Sequence, residues 1–265
     1  MCILFIAVNQ HPKFPLIIAA NRDEFHVRPT TNATFWEHHK EILAGKDNQA
    51  GGTWMGIHKD GSVAAITNIR APGTEVEDAV TRGELVINYL LASNKKKKKY
   101  PQKLTDSKAL YNGYNLLFGS LEQLYVYNNF EDTCIPLEDG VYGLSNASLN
   151  SPWPKISTGR DALAKYCQHA DVLDTEHLFE LLKNNKPAAD DALPKTGVPI
   201  EIERQLSSIF IKSPDYGTRS STVLLVDHHQ HVIWEERAFN ADGEQTAVQH
   251  FEFDIKKDII KNHVL

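Results

Sequence analysis

A layered α+β fold is predicted by three features of the sequence. Apolar, β-branched-rich runs come in pairs broken by turn residues, as at 2–8 with 16–20 and at 53–58 with 62–68. Helical periodicity is confined to two zones, 81–110 and 157–184. The elements therefore run strands, helix, strands, two helices, strands, an order that favours segregated layers over alternating βαβ units.

The first hairpin organises the chain. Cys2–Val8 and Leu16–Ala20 flank the polar, proline-containing break Asn9-Gln10-His11-Pro12-Lys13. A turn near residues 11–12 pairs positions whose indices sum to about 23, which sets Cys2 opposite Asn21. Phe25–Glu41 has no clean period and reads as a long loop. Ile42–Gly45 reads as a short strand, and Asp47–Gly52 as turn material. Asp60-Gly61 between apolar runs marks a second hairpin that ends at Asn68. Thr81–Ala92 carries Leu85, Tyr89 and Ala92 on one helical stripe, and a further helix is expected over Pro101–Leu110.

Strands are expected at Tyr114–Phe118 and Leu124–Tyr127, followed by a loop to Pro136 and a short strand from Gly140 that ends in Asn146. Helices are expected over Ser157–His169 and Thr175–Asn184, the second opened by Asp174-Thr175-Glu176. Lys186–Val198, rich in Pro, Asp and Ala, reads as a mobile loop. Strands resume at Ser207–Ile211, Ser221–Val226, Val232–Arg237 and Phe251–Phe253. Without repeats or linkers, residues 1–265 are expected to form a single domain.

Composition narrows the function. The 265 residues are 42% apolar, enough for a sizeable core, and the net charge of −6 offers no electrostatic footprint for nucleic acid. Lys95–Lys99, a lone basic block, reads as a solvated surface loop. Three cysteines, Cys2, Cys134 and Cys167, do not make a disulfide frame and point to a reducing compartment. Runs of ~18 apolar residues are absent, so a membrane span is not expected. The apolar start has no charged region before it, so a cytoplasmic protein is expected. Neither a zinc spacing nor a phosphate-cradling glycine loop occurs, and the pair His228-His229 with His231 reads as a solvated turn.

Cys2 carries the chemical signal. A small residue at position 2 favours trimming of Met1, which would give Cys2 a free α-amino group with an ordinary pKa of about 7.7–8.0. Thiol and base would then share one residue, an arrangement that activates N-terminal nucleophiles. The plainer alternative is a small buried strand residue. Asn21, Asn68 and Asn146 each follow an apolar strand, and Arg219 opens one. Amide donors of this kind stabilise the oxyanion formed when a thiolate attacks a carbonyl, an Asp can hold the amine, and an Arg can tune the thiol or grip an acidic group. Unrelated strand-end caps would look the same.

Met1-Cys2 with Asn21-Arg22-Asp23-Glu24 resembles the family named for that tetrapeptide, the transport and Golgi organisation protein 2 family. The likeness continues through Arg28-Pro29, Phe35-Trp36, Gly51–Gly56, Thr67-Asn68, Arg82–Leu85, Tyr111–Leu116, Tyr142–Ala147, Pro152–Lys155 and Tyr216–Arg219. That family is in turn similar to N-terminal-nucleophile hydrolases of the penicillin V and bile-salt amide hydrolase type. The resemblance implies a four-layer αββα sandwich. It also implies catalytic roles for Cys2, Asp23, Asn68, Asn146 and Arg219, and a substrate space lined by Asn21, Arg22, Glu24 and Trp54. One departure stands out: those hydrolases carry an Arg shortly before the Asp, where this chain has Ala19-Ala20, and Arg22 follows Asn21 instead. The resemblance also links the family to haem mobilisation and to acyl-lipid or acyl-CoA handling. The expected activity is cleavage of an amide or thioester of a small acyl compound, with no cofactor required. The alternative is a non-catalytic carrier of haem or acyl-CoA on the same fold.

Overall fold

The computed structural model describes residues 2–169 and 173–256. Among them the strands are β1 (Cys2–Val8), β2 (Leu16–Phe25), β3 (Thr30–Trp36), β4 (His39–Asp47), β5 (Met55–His58), β6 (Val63–Asn68), β7 (Tyr114–Ser120), β8 (Gln123–Asn128), β9 (Thr133–Leu137), β10 (Gly140–Leu144), β11 (Tyr216–Val226), β12 (His231–Phe239) and β13 (Gln245–Asp254). The helices are α1 (Gly83–Leu90), α2 (Asn94–Lys97), α3 (Tyr100–Ser107), α4 (Pro154–His169), α5 (Thr175–Leu182) and α6 (Ile200–Gln205).

Two antiparallel sheets result. One has the order β10-β1-β2-β11-β12-β13, the other runs β3 to β9 in sequence order. Alternation along the strands gives each sheet two apolar faces. Leu4, Ile6 and Ile18 meet Leu43, Met55 and Leu117 between the sheets. Ile3, Phe5 and Ile17 face outward and are covered by Ile156 and Leu163 of α4 and Phe179 of α5. Ile66 and Phe118 are covered by Leu85 and Leu90 of α1 and by Tyr100 and Leu104 of α3. The layers are therefore αββα. β2 is central and buried on both faces, which is why its first half is a continuous apolar run.

Several local expectations are corrected. The stretch 25–41 is not a loop but contains β3 and the start of β4. Their pairing shifts register twice, which breaks the alternation that would have marked them. β9 occupies part of the expected loop before Pro136, on the outer edge of its sheet, where Cys134, Ile135 and Pro136 are exposed. Ser207–Ile211 is not a strand. It runs as a turn and bends after α6, itself unannounced in the sequence, and its backbone bonds the segment just after α5 through Phe210 N to Asn184 O at 2.8 Å. The Lys block is partly the short helix α2, in which Lys97 Nζ sits 2.6 Å from Asp60 and 2.7 Å from Ser62 Oγ. The segment 186–198 is mostly irregular but tied down: Thr196 donates from N and Oγ1 to Glu203, and Arg204 grips Asp190 with two bonds.

The first hairpin closes one residue later than expected. Asn9 N donates to Pro15 O at 2.8 Å, with Asn9 in the left-handed region at φ 53°. Cys2 therefore faces Arg22, and Ile3 faces Asn21. A one-residue slip exchanges the faces of every side chain. Cys2 and Arg22 share the inter-sheet face, while Asn21 and Asp23 look toward the helices.

Two predictions concern this frame. A Cβ on Gly159 in α4 would come within 2.0 Å of the Phe5 ring. Ala gains about 1 kcal/mol of helix propensity, but overpacking against a ring locked in β1 costs about 1–3 kcal/mol. Gly159→Ala should therefore lower the midpoint of a urea unfolding curve rather than raise it. The second concerns Glu236 of β12, buried between the sheets, whose Oε1 accepts from Ala33 N of β3 at 2.7 Å while Oε2 lies 3.4 Å from Thr222 Oγ1. Burial pushes its pKa up to about 7 against an ordinary 4.5. The folded chain keeps this proton where the unfolded chain has lost it, so its contribution is full below about pH 4.5 and is lost as pH rises toward 7, about 3 kcal/mol in all. Glu236→Gln reproduces the protonated hydrogen-bonding pattern. It should match the parent near pH 5 and exceed it near pH 8 in denaturant titrations.

Candidate active site

The site lies where β1 begins, β2 and β6 end and α1 begins. A cleft of about 120 Å³ is lined there by Cys2, Arg22, Asp23, Glu24, Trp54, Asn68 and Arg82, among others. Cys2 is half-buried at the start of β1. Burial raises the pKa of its thiol, and the nearby Asp23 carboxylate adds to the rise. Arg22 and a hydrogen bond from the Asp23 backbone oppose it. The resting sulfur is thus held as a thiol and needs a base to become a nucleophile.

Asp23 is 1% exposed. Its Oδ1 accepts from Thr218 Oγ1 at 2.7 Å, and Thr218 Oγ1 in turn accepts from Ile211 N at 2.9 Å. Burial raises the pKa of its carboxyl, while Lys155 and Arg22 hold it toward the ionised form. Lys155, missed in the sequence, is buried on α4 and donates to Leu206 O at 3.0 Å. Its pKa is lowered to about 8 by burial, partly offset by Asp23. The signal for it was present in Pro154-Lys155 at a helix start, but a lysine there looks like any surface residue until the helix is docked.

Arg22 stacks on Trp54 with its guanidinium carbon 4.3 Å from the ring centroid, and Glu24 lies 4.0 Å from Arg22 and 3.8 Å from Arg28. Because Arg22 sits directly across from Cys2, a guanidinium does stand on the thiol's side of the sheet although residues 19–20 are alanines.

Three of the expected site residues are placed elsewhere. Asn21 faces the helix layer and spends its amide on the fold: Nδ2 donates to Leu182 O and Ile209 O, both at 2.9 Å, and Oδ1 accepts from Ser221 Oγ at 2.6 Å. Opposite Ile3 and not Cys2, its side chain is turned to the other face from the sulfur, for the same one-residue reason of register. Asn146 is 1% exposed and does not line the cleft. Its Nδ2 donates to Asn68 O at 2.9 Å, and Ser145 Oγ lies 3.0 Å from both Asn146 Oδ1 and Cys2 O. Asn146 therefore ties the ends of β1 and β6 together. Arg219 does not open β11. It is the extra residue of a bulge between Thr218, which faces Asp23, and Ser220, which faces Arg22. Turned out of register, its guanidinium donates to the carbonyls of Phe25, His26 and Arg28 at 2.9, 3.0 and 3.2 Å and straps the rim of the cleft.

Met1, expected from the sequence to be removed, lies outside the described residues. Among the described residues no cluster of side chains could hold a metal ion, and no helix is long and apolar enough to cross a membrane.

Comparison with known proteins agrees with this architecture. The fold is that of N-terminal-nucleophile hydrolases: a crystal structure of the C2A mutant of conjugated bile acid hydrolase from Clostridium perfringens superposes with a TM-score of 0.50 over 100% of both chains at 9% identity. In sequence, the chain is 34% identical to the mouse transport and Golgi organization 2 homolog, covering 97% of this chain and 100% of that protein. It is 36% identical to the bovine homolog, covering 90% and 93%. Residues 1–241 match the Transport and Golgi organisation 2 family, and the chain belongs to that family.

Proposed function

We propose that this protein is an N-terminal cysteine hydrolase that cleaves an amide or thioester of a small acyl compound. The observation that carries the reading is the joint placement of a Cys2 thiol at an open cleft and a buried Asp23 beside it on β2. The bile acid hydrolase that shares the fold was crystallised with its own position-2 cysteine replaced by alanine, which fits a reactive role for that position.

Once Met1 is removed, the Cys2 amine takes the thiol proton as Sγ attacks the carbonyl carbon. The same amine returns the proton to the leaving nitrogen or sulfur, and water then cleaves the acyl-enzyme. Asp23, held by Thr218 and faced by the Lys155 charge that favours its ionised form, orients the amine. Asn68 at the cleft wall supplies the amide donor for the oxyanion. Asn146 and Arg219 act as positioning residues: one fixes the Cys2–Asn68 geometry, the other the rim.

The carrier alternative has less support. Haem needs an axial ligand and a cavity well above 120 Å³. A larger cavity of about 760 Å³, between α6 and the β12–β13 turn, is lined by no His, Cys, Met or Tyr. Neither cavity combines an axial ligand with the room that a haem needs.

Intact-mass analysis of the purified protein with an activated acyl thioester should show a chain lacking Met1 and an acyl adduct on Cys2. Cys2→Ala should abolish the adduct. Asp23→Asn should slow its formation by about 10²-fold or more, with the thermal melt unchanged within a few degrees. A chain that retains Met1, or no adduct across a broad acyl panel, would overturn the catalytic reading.

A further inference from the structure

The Cys2 cleft is too small to hold more than the reacting group, since clefts for small-molecule ligands usually run about 300–1,000 Å³. Asn68 and Arg82 also line a second cleft of about 280 Å³, formed over Ile69–Pro72, Asn112 and Val198. These two side chains stand at the boundary of both spaces, so a group beyond Asn68 would lie alongside Arg82.

Arg82 differs from its neighbours. Arg22 has Glu24, Arg28 has Asp47 at 2.6 Å, and Arg70, which also lines the second cleft, is paired with buried Glu203. Among the described residues Arg82 forms no ion pair. Its Nη1 donates to Gly113 O at 3.0 Å, which leaves the rest of a five-donor fork to the cleft. Burial lowers its pKa, while a Cys2 thiolate and Glu24 pull the other way, so it lies within electrostatic reach of the reacting sulfur. Thr81 and Gly83, at the start of α1, line the same wall, and a helix start carries partial positive charge. The acidic residue of the second cleft, Glu75, is exposed and accepts from Gly73 N at its outer loop. Glu24 and Asp47 share the Cys2 cleft, but each is within ion-pair distance of Arg28 and neither of Arg82. A half-buried guanidinium that no carboxylate among the described residues bonds, where two clefts adjoin, can take an anionic group of a ligand.

We infer that Arg82 is a specificity residue that binds a carboxylate or similar anionic group of the substrate, a few bonds from the scissile carbonyl, in the cleft that adjoins that of Cys2 at Asn68. This rests on the hydrolase reading for the identity of the ligand as a substrate, but the anion site itself can be tested apart from turnover. Its partner is an acidic acyl compound or an acyl conjugate of an acidic leaving group.

The test uses the full chain with Met1 removed and two matched pairs of thioesters. Succinyl and butyryl N-acetylcysteamine differ by a carboxylate for a methyl on the acyl side. Butyryl thioesters of 3-mercaptopropionate and 3-mercaptopropionamide place the charge in the leaving group. In at least one pair the anionic member should have the higher kcat/KM by about tenfold or more, the scale of one charge-assisted hydrogen-bond pair. Arg82→Gln should bring that pair within about twofold while sparing the neutral member, and Arg82→Lys should keep part of the preference. Calorimetric titration with succinate and butyrate repeats the comparison without chemistry: succinate should bind the parent more tightly, and Arg82→Gln should remove the difference. Arg82-dependent succinate binding with no turnover of any thioester would sink the hydrolase reading and keep the anion site. Turnover with no anionic preference in either pair, or equal loss of both members in Arg82→Gln, would overturn the anion site and leave the hydrolase reading standing. If Arg82→Gln does not fold, a preference reduced but not abolished in Arg82→Lys supports the site, and an undiminished preference overturns it.

Discussion

The pairing of β1 with β2, with Cys2 opposite Arg22, is the constraint on which the site depends. Strand alternation turns that one register into a division of labour. Even-numbered positions put the thiol and a guanidinium on the inter-sheet face, where the cleft opens. Odd-numbered positions send Asn21 and Asp23 to the helix face, where water is excluded and every polar atom must find a partner. The backbone of Cys2 lies at the boundary between the two. Its sulfur belongs to the cleft, while its carbonyl oxygen accepts from Ser145 Oγ.

The neighbouring strands serve this division. A bulge in β11 lets Thr218 and Ser220 both keep register with β2 and expels Arg219 to the rim. Buried Asn21, Ser221 and the carbonyls of Leu182 and Ile209 close a network that anchors α5 and the bends after α6 to the sheet. Asn115 does similar work on the second sheet: its Nδ2 reaches Thr67 Oγ1, Ser145 O and Ala147 O, and so fixes the segment that carries Asn146. Much of the polar content near Cys2 is therefore scaffolding. The open cleft retains a smaller set: Cys2, Asn68, Arg82 and the Arg22–Trp54 stack.

Charge placement in the cleft is nearly balanced, with Arg22 and Arg28 answered by Glu24 and Asp47. Balanced pairs position one another but attract little. The exception, Arg82, stands where two clefts meet.

The sequence by itself determined the layered α+β class, both hairpins, the helix over 157–169 and the concentration of polar residues around Cys2. These are local matters: apolar period, turn residues such as Asp60-Gly61, and capping residues such as Asp174, whose side chain does accept from Glu176 N. Two edge strands, β3 and β9, were illegible in it. β3 shifts register twice against β4, and β9 exposes three successive residues, so they carry little periodic signal. Only the tertiary structure decided which face each polar residue of β2 takes, because that depends on one residue of register in a turn. It alone revealed Lys155, Arg82 and the bulge at Arg219, since a buried lysine, an unpaired guanidinium and an expelled strand residue are defined by what surrounds them and not by their neighbours in the chain.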